Sequence, residues 1–174
     1  ALLPATVAGT VIFGVRSLLV IFSCVASAVL SEFLFDKIAK KPNTVGDLSA
    51  ALTGLLLGLN LHAATPVWQC VVGSVFAIVV VKCFFGGLGC NFANPAITAR
   101  VMMLISFAST GATFAKPAIV DLETSATPLE LITKNEISSL PSLRDMTLGL
   151  YGGAIGETCV IALLIGFVYL VARR

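Results

Sequence analysis

Residues 67–107, VWQCVVGSVFAIVVVKCFFGGLGCNFANPAITARVMMLISF, settle the architecture. Val67 to Phe85 is an apolar run with one charge, Lys82, long enough to cross the core of a bilayer. Gly86-Gly87-Leu88-Gly89-Cys90-Asn91-Phe92-Ala93-Asn94-Pro95 follows, and then a second apolar segment to Phe107. Glycines permit an unwound backbone, Pro95 suits the first turn of a helix, and Asn91 and Asn94 bring amide donors and acceptors. Non-helical backbone at membrane depth is tolerated only where protein or a cavity satisfies it. The stretch therefore reads as two membrane helices around a break. Amides exposed at the second helix start suit an anionic or carbonyl-rich ligand; an ordinary interhelical loop is the plain alternative.

Composition extends this reading to the whole chain. Of 174 residues, 57% are hydrophobic and 11% charged, and the mean hydropathy is +1.01. A soluble domain carries about 25% charged residues, so this surface needs lipid around it. The expected fold is all-α: a polytopic transmembrane helical bundle with broken or half helices, a single transmembrane domain over residues 1–174. A net charge of +2 gives no reason to expect a nucleic-acid partner. Ala1 opens directly into an apolar run without a basic region, so the numbering is expected to start inside a longer protein.

Outward from the break, Leu2 to Phe35 is too long for one span, and Gly14, Arg16 and Ser17 interrupt it. One segment is expected to end near Gly14 and a span to run from Ser17 to Phe35. Asp36, Lys37, Lys40, Lys41 and Pro42 read as a short basic loop, which favours the cytoplasmic side. Leu48 to Leu61 is short for a full span and suits a half-helix or a tilted one, and His62 to Pro66 a turn. The stretch 109–145 is polar, with Pro117, Pro128, Pro141 and five acidic residues against three basic ones. It reads as an extramembrane loop on the opposite side. A last span is expected from Ala154 to Val171, before Arg173 and Arg174. A re-entrant Leu48–Leu61 segment would spoil the agreement between this orientation and the number of crossings.

Charges at helix-centre depth cost a few kcal/mol on insertion scales. Arg16, Asp47, Lys82, Arg100 and Glu157 all stand at or near ends of apolar runs. Snorkelling or interface anchoring accounts for Arg16 and Lys82, and Asp47 can support the N-terminus of the helix it precedes. Arg100 and Glu157 adjoin breaks, the second being Gly149 to Thr158. Two breaks suggest an intramembrane ligand or ion site. The five cysteines are scattered with no CxxC and read as buried thiols, so no metal site is expected.

Several segments resemble one family, which unites the D subunit of the Rnf complex with the B subunit of the sodium-pumping NADH:quinone oxidoreductase. They are Lys40-Lys41-Pro42 with Gly46-Asp47-Leu48-Ser49-Ala50-Ala51-Leu52-Thr53-Gly54, then Gly86 to Ala96, then Asp121 to Leu129, and Gly153 to Thr158. The short loops and the GGLG form look more like the Rnf member. The resemblance implies two inverted repeats of spans with broken helices, of which this chain is the central portion. It implies FMN joined through its phosphate to a threonine hydroxyl in the loop at about 109–145. A separate flavin transferase reads a D-x-x-[S/T]-[G/S]-A-T pattern, matched here by Asp121, Thr124, Ser125, Ala126 and the acceptor Thr127. Ser109-Thr110-Gly111-Ala112-Thr113 imitates the tail of that pattern, but Phe107 stands where the aspartate is needed. A plain Thr-Pro turn is the bland reading of Thr127.

The resemblance also associates Asn91 and Asn94, in the segment with Gly86, Gly87 and Gly89, with a non-covalent riboflavin. Arg100 could join that flavin region, and Asp47, Glu157 and Thr158 an ion path. The implied function is electron relay coupled to Na⁺ or H⁺ transport in a ferredoxin:NAD⁺ oxidoreductase. It implies other Rnf subunits and the lipid of a bacterial or archaeal cytoplasmic membrane as surroundings. The quinone-reductase homologue, or a solute channel of similar fold with no redox role, are the alternatives. No nucleotide fold or Fe–S spacing appears, so the chain is not expected to be a complete enzyme alone.

Overall fold

The computed structural model describes residues 1–41, 44–107, 114–115, 124–125, 128–133 and 141–173. The described residues form an all-α assembly of short helices, with one two-residue antiparallel pairing, Phe114–Ala115 against Thr124–Ser125. The helices are α1 (Leu3–Phe13), α2 (Val15–Ile38), α3 (Ser49–Asn60), α4 (Val67–Val75), α5 (Pro95–Ser106), α6 (Pro128–Thr133), α7 (Leu143–Leu148) and α8 (Val160–Ala172). A π-helix, Phe76–Cys83, continues α4, and a 3₁₀ turn, Val45–Asp47, precedes α3.

α2 is the one helix among the described residues that is long and apolar enough to cross a membrane, with 24 residues and a window hydropathy of 2.3. At 1.5 Å per residue it spans about 36 Å, more than a hydrocarbon core of about 30 Å. Gly14, at φ 76°, separates it from α1, as expected at that position. The other apolar helices, α1, α3, α5, α8 and the continuous Val67–Cys83, are shorter. α3 is short, as expected of that run, and the turn at His62–Pro66 is present.

Three expectations are corrected. α2 continues to Ile38, so Asp36 is a buried helical residue and not part of a loop. The last helix begins at Val160 and not at Ala154, because the Gly-rich break extends through Cys159. Lys82 is buried, not snorkelling.

The chain divides into two compact units. One gathers the described residues of Ala1–Leu18, His62–Ala64 and Ala112–Arg174. Within it α8 packs on α1 and α7, and a Cβ at Gly9 would collide with the backbone carbonyl of Ile155. The other holds Leu19–Leu61 and the described residues of Thr65–Gly111. Its core includes Ala28, Ala50, Ile78 and Cys83, with Val29 and Phe35 against them.

Helix contacts in this second unit run through small residues, the way helices pack where lipid supplies no hydrophobic drive. A Cβ built on Gly54 of α3 would lie 2.7 Å from the Cys24 carbonyl oxygen and 2.8 Å from Val25 Cα. Both are backbone atoms of α2 and cannot rotate away. Gly54→Ala is therefore expected to push the helices apart and cost about 1–3 kcal/mol. Thermal unfolding of the detergent-solubilised protein checks this, with exposed Leu52→Ala as the near-neutral reference.

Candidate functional site

The second unit contains a cavity of about 270 Å³ lined by residues from α2, the segment before α3 and the Gly-rich break. Glu32, Asp36, Thr44, Asp47, Gly86 and Gly87 are among its walls. The break forms because the π-helix ends in a five-residue step, Phe84 N–H donating to the Val79 carbonyl at 3.1 Å. Gly86, Gly87 and Gly89 then take φ of 112°, 96° and 84°, a region that residues with a Cβ rarely adopt. π turns are uncommon and cluster at functional sites; this one carries Lys82 in its last turn.

Lys82 meets Glu32 across the unit. Its Nζ lies 2.5 Å from Glu32 Oε1, and both side chains are 2% exposed. The ammonium also donates to Ser49 Oγ, whose own hydroxyl donates to Asp47 Oδ1 at 2.5 Å. At the same Glu32 oxygen, Thr44 Oγ1 lies 3.0 Å from Oε1, and it is 2.9 Å from Asp36 Oδ2. Asp36 Oδ2 further accepts the Thr44 backbone N–H at 2.9 Å. A chain of polar contacts thus runs Asp47–Ser49–Lys82–Glu32–Thr44–Asp36. Glu32 Oε2 is buried and has no hydrogen-bond partner among the described residues.

Asp47, expected near an ion path, does line the cavity together with Gly86 and Gly87. It is exposed, and it caps α3 by accepting the Ser49 hydroxyl and the Ser49 N–H. The hydroxyl first, then the N–H, hold its carboxyl below the ordinary carboxylate range. Its stabilising contribution is complete above that ordinary range and is lost as pH falls through the lowered value.

The two asparagines part company. Asn94 caps α5, its Oδ1 accepting Ala96 N–H at 3.1 Å and Ile97 N–H at 3.4 Å, so that oxygen is used by the helix itself. Asn91 Oδ1 is buried without a partner among the described residues, an acceptor that an N–H or hydroxyl donor would satisfy. Asn94 supports the backbone a few residues from it. Arg100 is half-buried on α5. Asn91, Asn94 and Arg100 are not among the walls of the cavity.

Glu157 and Thr158 belong to the first unit. Glu157 is exposed, while Thr158 is fully buried, its Oγ1 without a partner among the described residues, held where Gly149, at φ 86°, closes on its backbone. Asp121, Ala126, Thr127 and the competitor Thr113 lie outside the described residues. Thr124 and Ser125 form the second strand of the short pairing.

Sequence reading missed Glu32, Asp36 and Thr44 and misassigned Lys82. The signal was available in α2, where Val20, Cys24, Ala28, Glu32 and Asp36 recur every fourth residue and are all at most 5% exposed. Each such step places a residue close above the last, in a stripe that winds slowly around the helix, and two carboxyl groups at its end need partners on whatever packs there.

Residues 1–174 match the NQR2, RnfD, RnfE family. The chain is 47% identical over 175 residues to the D subunit of the Na⁺-translocating ferredoxin:NAD⁺ oxidoreductase complex of Acetobacterium woodii, covering 99% of this chain and 55% of that protein. It is 37% identical over 184 residues to the D subunit of the proton-translocating ferredoxin:NAD⁺ oxidoreductase complex of Clostridium ljungdahlii, covering 100% and 56%. With the D subunit of the ion-translocating oxidoreductase complex of Marinobacter nauticus it shares 38% over 202 residues, covering 100% and 57%. The chain thus spans about half the length of the curated relatives it matches. Matched along its full length, it belongs to the NQR2, RnfD, RnfE family of membrane subunits.

Proposed function

We propose that the chain is the central portion of the D subunit of an ion-translocating ferredoxin:NAD⁺ oxidoreductase, a multi-pass component of a prokaryotic cytoplasmic membrane. It carries FMN as a phosphoester on Thr127 and passes electrons within the complex while a cation crosses the membrane. One observation carries the reading: near-complete coverage of this chain by the D subunits of two such complexes, at 47% and 37% identity. The Asp121–Thr127 pattern supplies the attachment site in a polar stretch, where a hydroxyl can reach a transferase.

FMN, once bound, supplies one- and two-electron chemistry. The work of the chain is to bind, orient and surround it. Thr127 fixes the phosphate, so the centre cannot dissociate between turnovers. Asn91 offers a buried acceptor for a second, non-covalent flavin. The other subunits of the complex, and a flavin transferase for maturation, are the partners this requires.

The test is denaturing electrophoresis of the full-length protein, expressed with and without a flavin transferase and viewed by in-gel flavin fluorescence. A fluorescent band, with the mass of one FMN on the peptide containing Thr127, is expected only with the transferase. A non-fluorescent protein under both conditions sinks the flavin reading.

A further inference from the structure

Where α4 touches α2, the contact is made of thiols and hydroxyls. Cys24 of α2 and Cys70 of α4 are both 0% exposed, and their thiols are hydrogen-bonded to each other. Ser74 follows Cys70 by one turn on the same face of α4. Its hydroxyl donates to the Cys24 carbonyl at 3.2 Å and also meets the Cys24 thiol. Ser23, the neighbour of Cys24, meets the Cys70 thiol, while its own hydroxyl donates to the Val20 carbonyl at 2.9 Å. α3 closes on the same turn of α2, since a Cβ on Gly58 would lie 3.5 Å from the Cys24 Cβ. Contacts from two helices therefore hold this pair in place within the second unit.

A lone buried cysteine packs as a small hydrophobe. Two sulfurs side by side, with a hydroxyl beside each, are a ligand set. Its limits define the occupant. Among the described residues no three His, Cys, Asp or Glu side chains are grouped for a metal ion, so an ion that needs four ligands, as structural zinc does, is not served. Val20 and Ala28, one turn to either side of Cys24 on α2, are apolar and buried, and a net charge left among such neighbours is costly. The occupant must bond both sulfurs and stay neutral. Trivalent arsenic meets both conditions: arsenous acid is uncharged at neutral pH, and its pyramidal centre holds two sulfurs next to each other.

We propose that Cys24 and Cys70 form a buried dithiol site for trivalent arsenic, which bridges α2 to α4. Two S–H bonds and two As–O bonds break as two As–S bonds form. The departing hydroxides carry the thiol protons away as two waters. Nothing is oxidised or reduced, and the site stays neutral throughout. The remaining As–OH donates to the hydroxyl oxygen of Ser23 or Ser74, each of which has given its own proton to a carbonyl. The bridge ties the long span to the helix that leads into the Gly-rich break, and so makes the protein a target of arsenite. The inference goes beyond the proposed function and requires neither the flavin nor the transported cation.

The experiment treats the purified complex with phenylarsine oxide, a neutral reagent that bridges two thiols through the same pair of As–S bonds. Peptide mapping by mass spectrometry is expected to find one phenylarsenic group joining the peptides that contain Cys24 and Cys70. Dithiothreitol should release it, and mercaptoethanol at the same thiol concentration should not. Cys24→Ser and Cys70→Ser are each expected to raise the half-saturating concentration about tenfold or more, because the second As–S bond is no longer formed within one site. Cys90→Ser, at an exposed cysteine, is expected to leave it unchanged. Sodium arsenite should raise the melting temperature of the wild type and of Cys90→Ser, and of neither pair variant. The wild-type map decides the matter even where a serine variant fails to fold. A map without the Cys24–Cys70 bridge, or arsenic that mercaptoethanol strips as readily as dithiothreitol, overturns the proposal.

Discussion

Lys82→Met is expected to destabilise the protein by about 3–5 kcal/mol, the usual cost of removing one partner of a buried ion pair. The side chains have similar length, so little packing volume is lost. What remains is Glu32, 1% exposed, with its Oε1 stripped of the ammonium that lies 2.5 Å away. Ser49 loses its donor as well, and the link from Asp47 to Glu32 is cut. If Lys82 were a snorkelling lysine, the same change would fall within about 0.5 kcal/mol, as surface substitutions do. Exposed Arg16→Met supplies that comparison on the same protein. Glu32→Gln combined with Lys82→Met removes both charges, and the double variant is expected to be more stable than Lys82→Met alone, since contacting residues do not add. Thermal melts of the solubilised protein measure all three. A single variant as stable as wild type would mean that the pair does not form.

The pair also shows which part of this molecule local pattern could reveal. Apolar runs, the Gly14 interruption, the turn at His62–Pro66 and the Asn94-Pro95 start of α5 were legible because each is written in a few consecutive residues. Lys82 and Glu32 are 50 positions apart, and nothing near either names the other. Lys82 stands about one helical turn before Gly86 and so resembles an interface anchor. Its burial follows from the π-helix of the last turns before the break and from the α2 face of Val20, Cys24, Ala28 and Glu32. Of the expected site residues, Asp47, Gly86 and Gly87 do share one cavity, while Asn94 serves chiefly as a helix cap. The caps and glycines act within one segment, whereas the site is assembled by contacts between segments that no single stretch encodes. The start of the last helix was misplaced for a related reason. Ala154 and Ile155 are apolar and buried, as helix residues would be, yet they belong to the break packed under Gly9.

Thr127→Ala is expected to abolish the covalent flavin altogether, because in the proposed function the substitution deletes the hydroxyl oxygen that carries the phosphoester. Thr113→Ala is expected to leave it intact, although Thr113 closes a similar Thr-Gly-Ala-Thr run. The difference lies six residues upstream: Asp121 before Thr127, Phe107 before Thr113. A transferase that must place a threonine hydroxyl against a phosphate gains from a carboxylate at a fixed offset, which can bind the enzyme's cations or donors; a phenyl ring offers neither. Asp121→Ala is therefore expected to reduce the fluorescent band severely while Thr127 is still present. In-gel fluorescence of the three variants, each expressed with the transferase and loaded at equal protein, separates the roles. A band retained in Thr127→Ala and lost in Thr113→Ala would move the flavin to the other threonine. Equal bands in all three would place it on neither. The readout does not depend on electron transfer, so it reports attachment even where a variant complex fails to turn over.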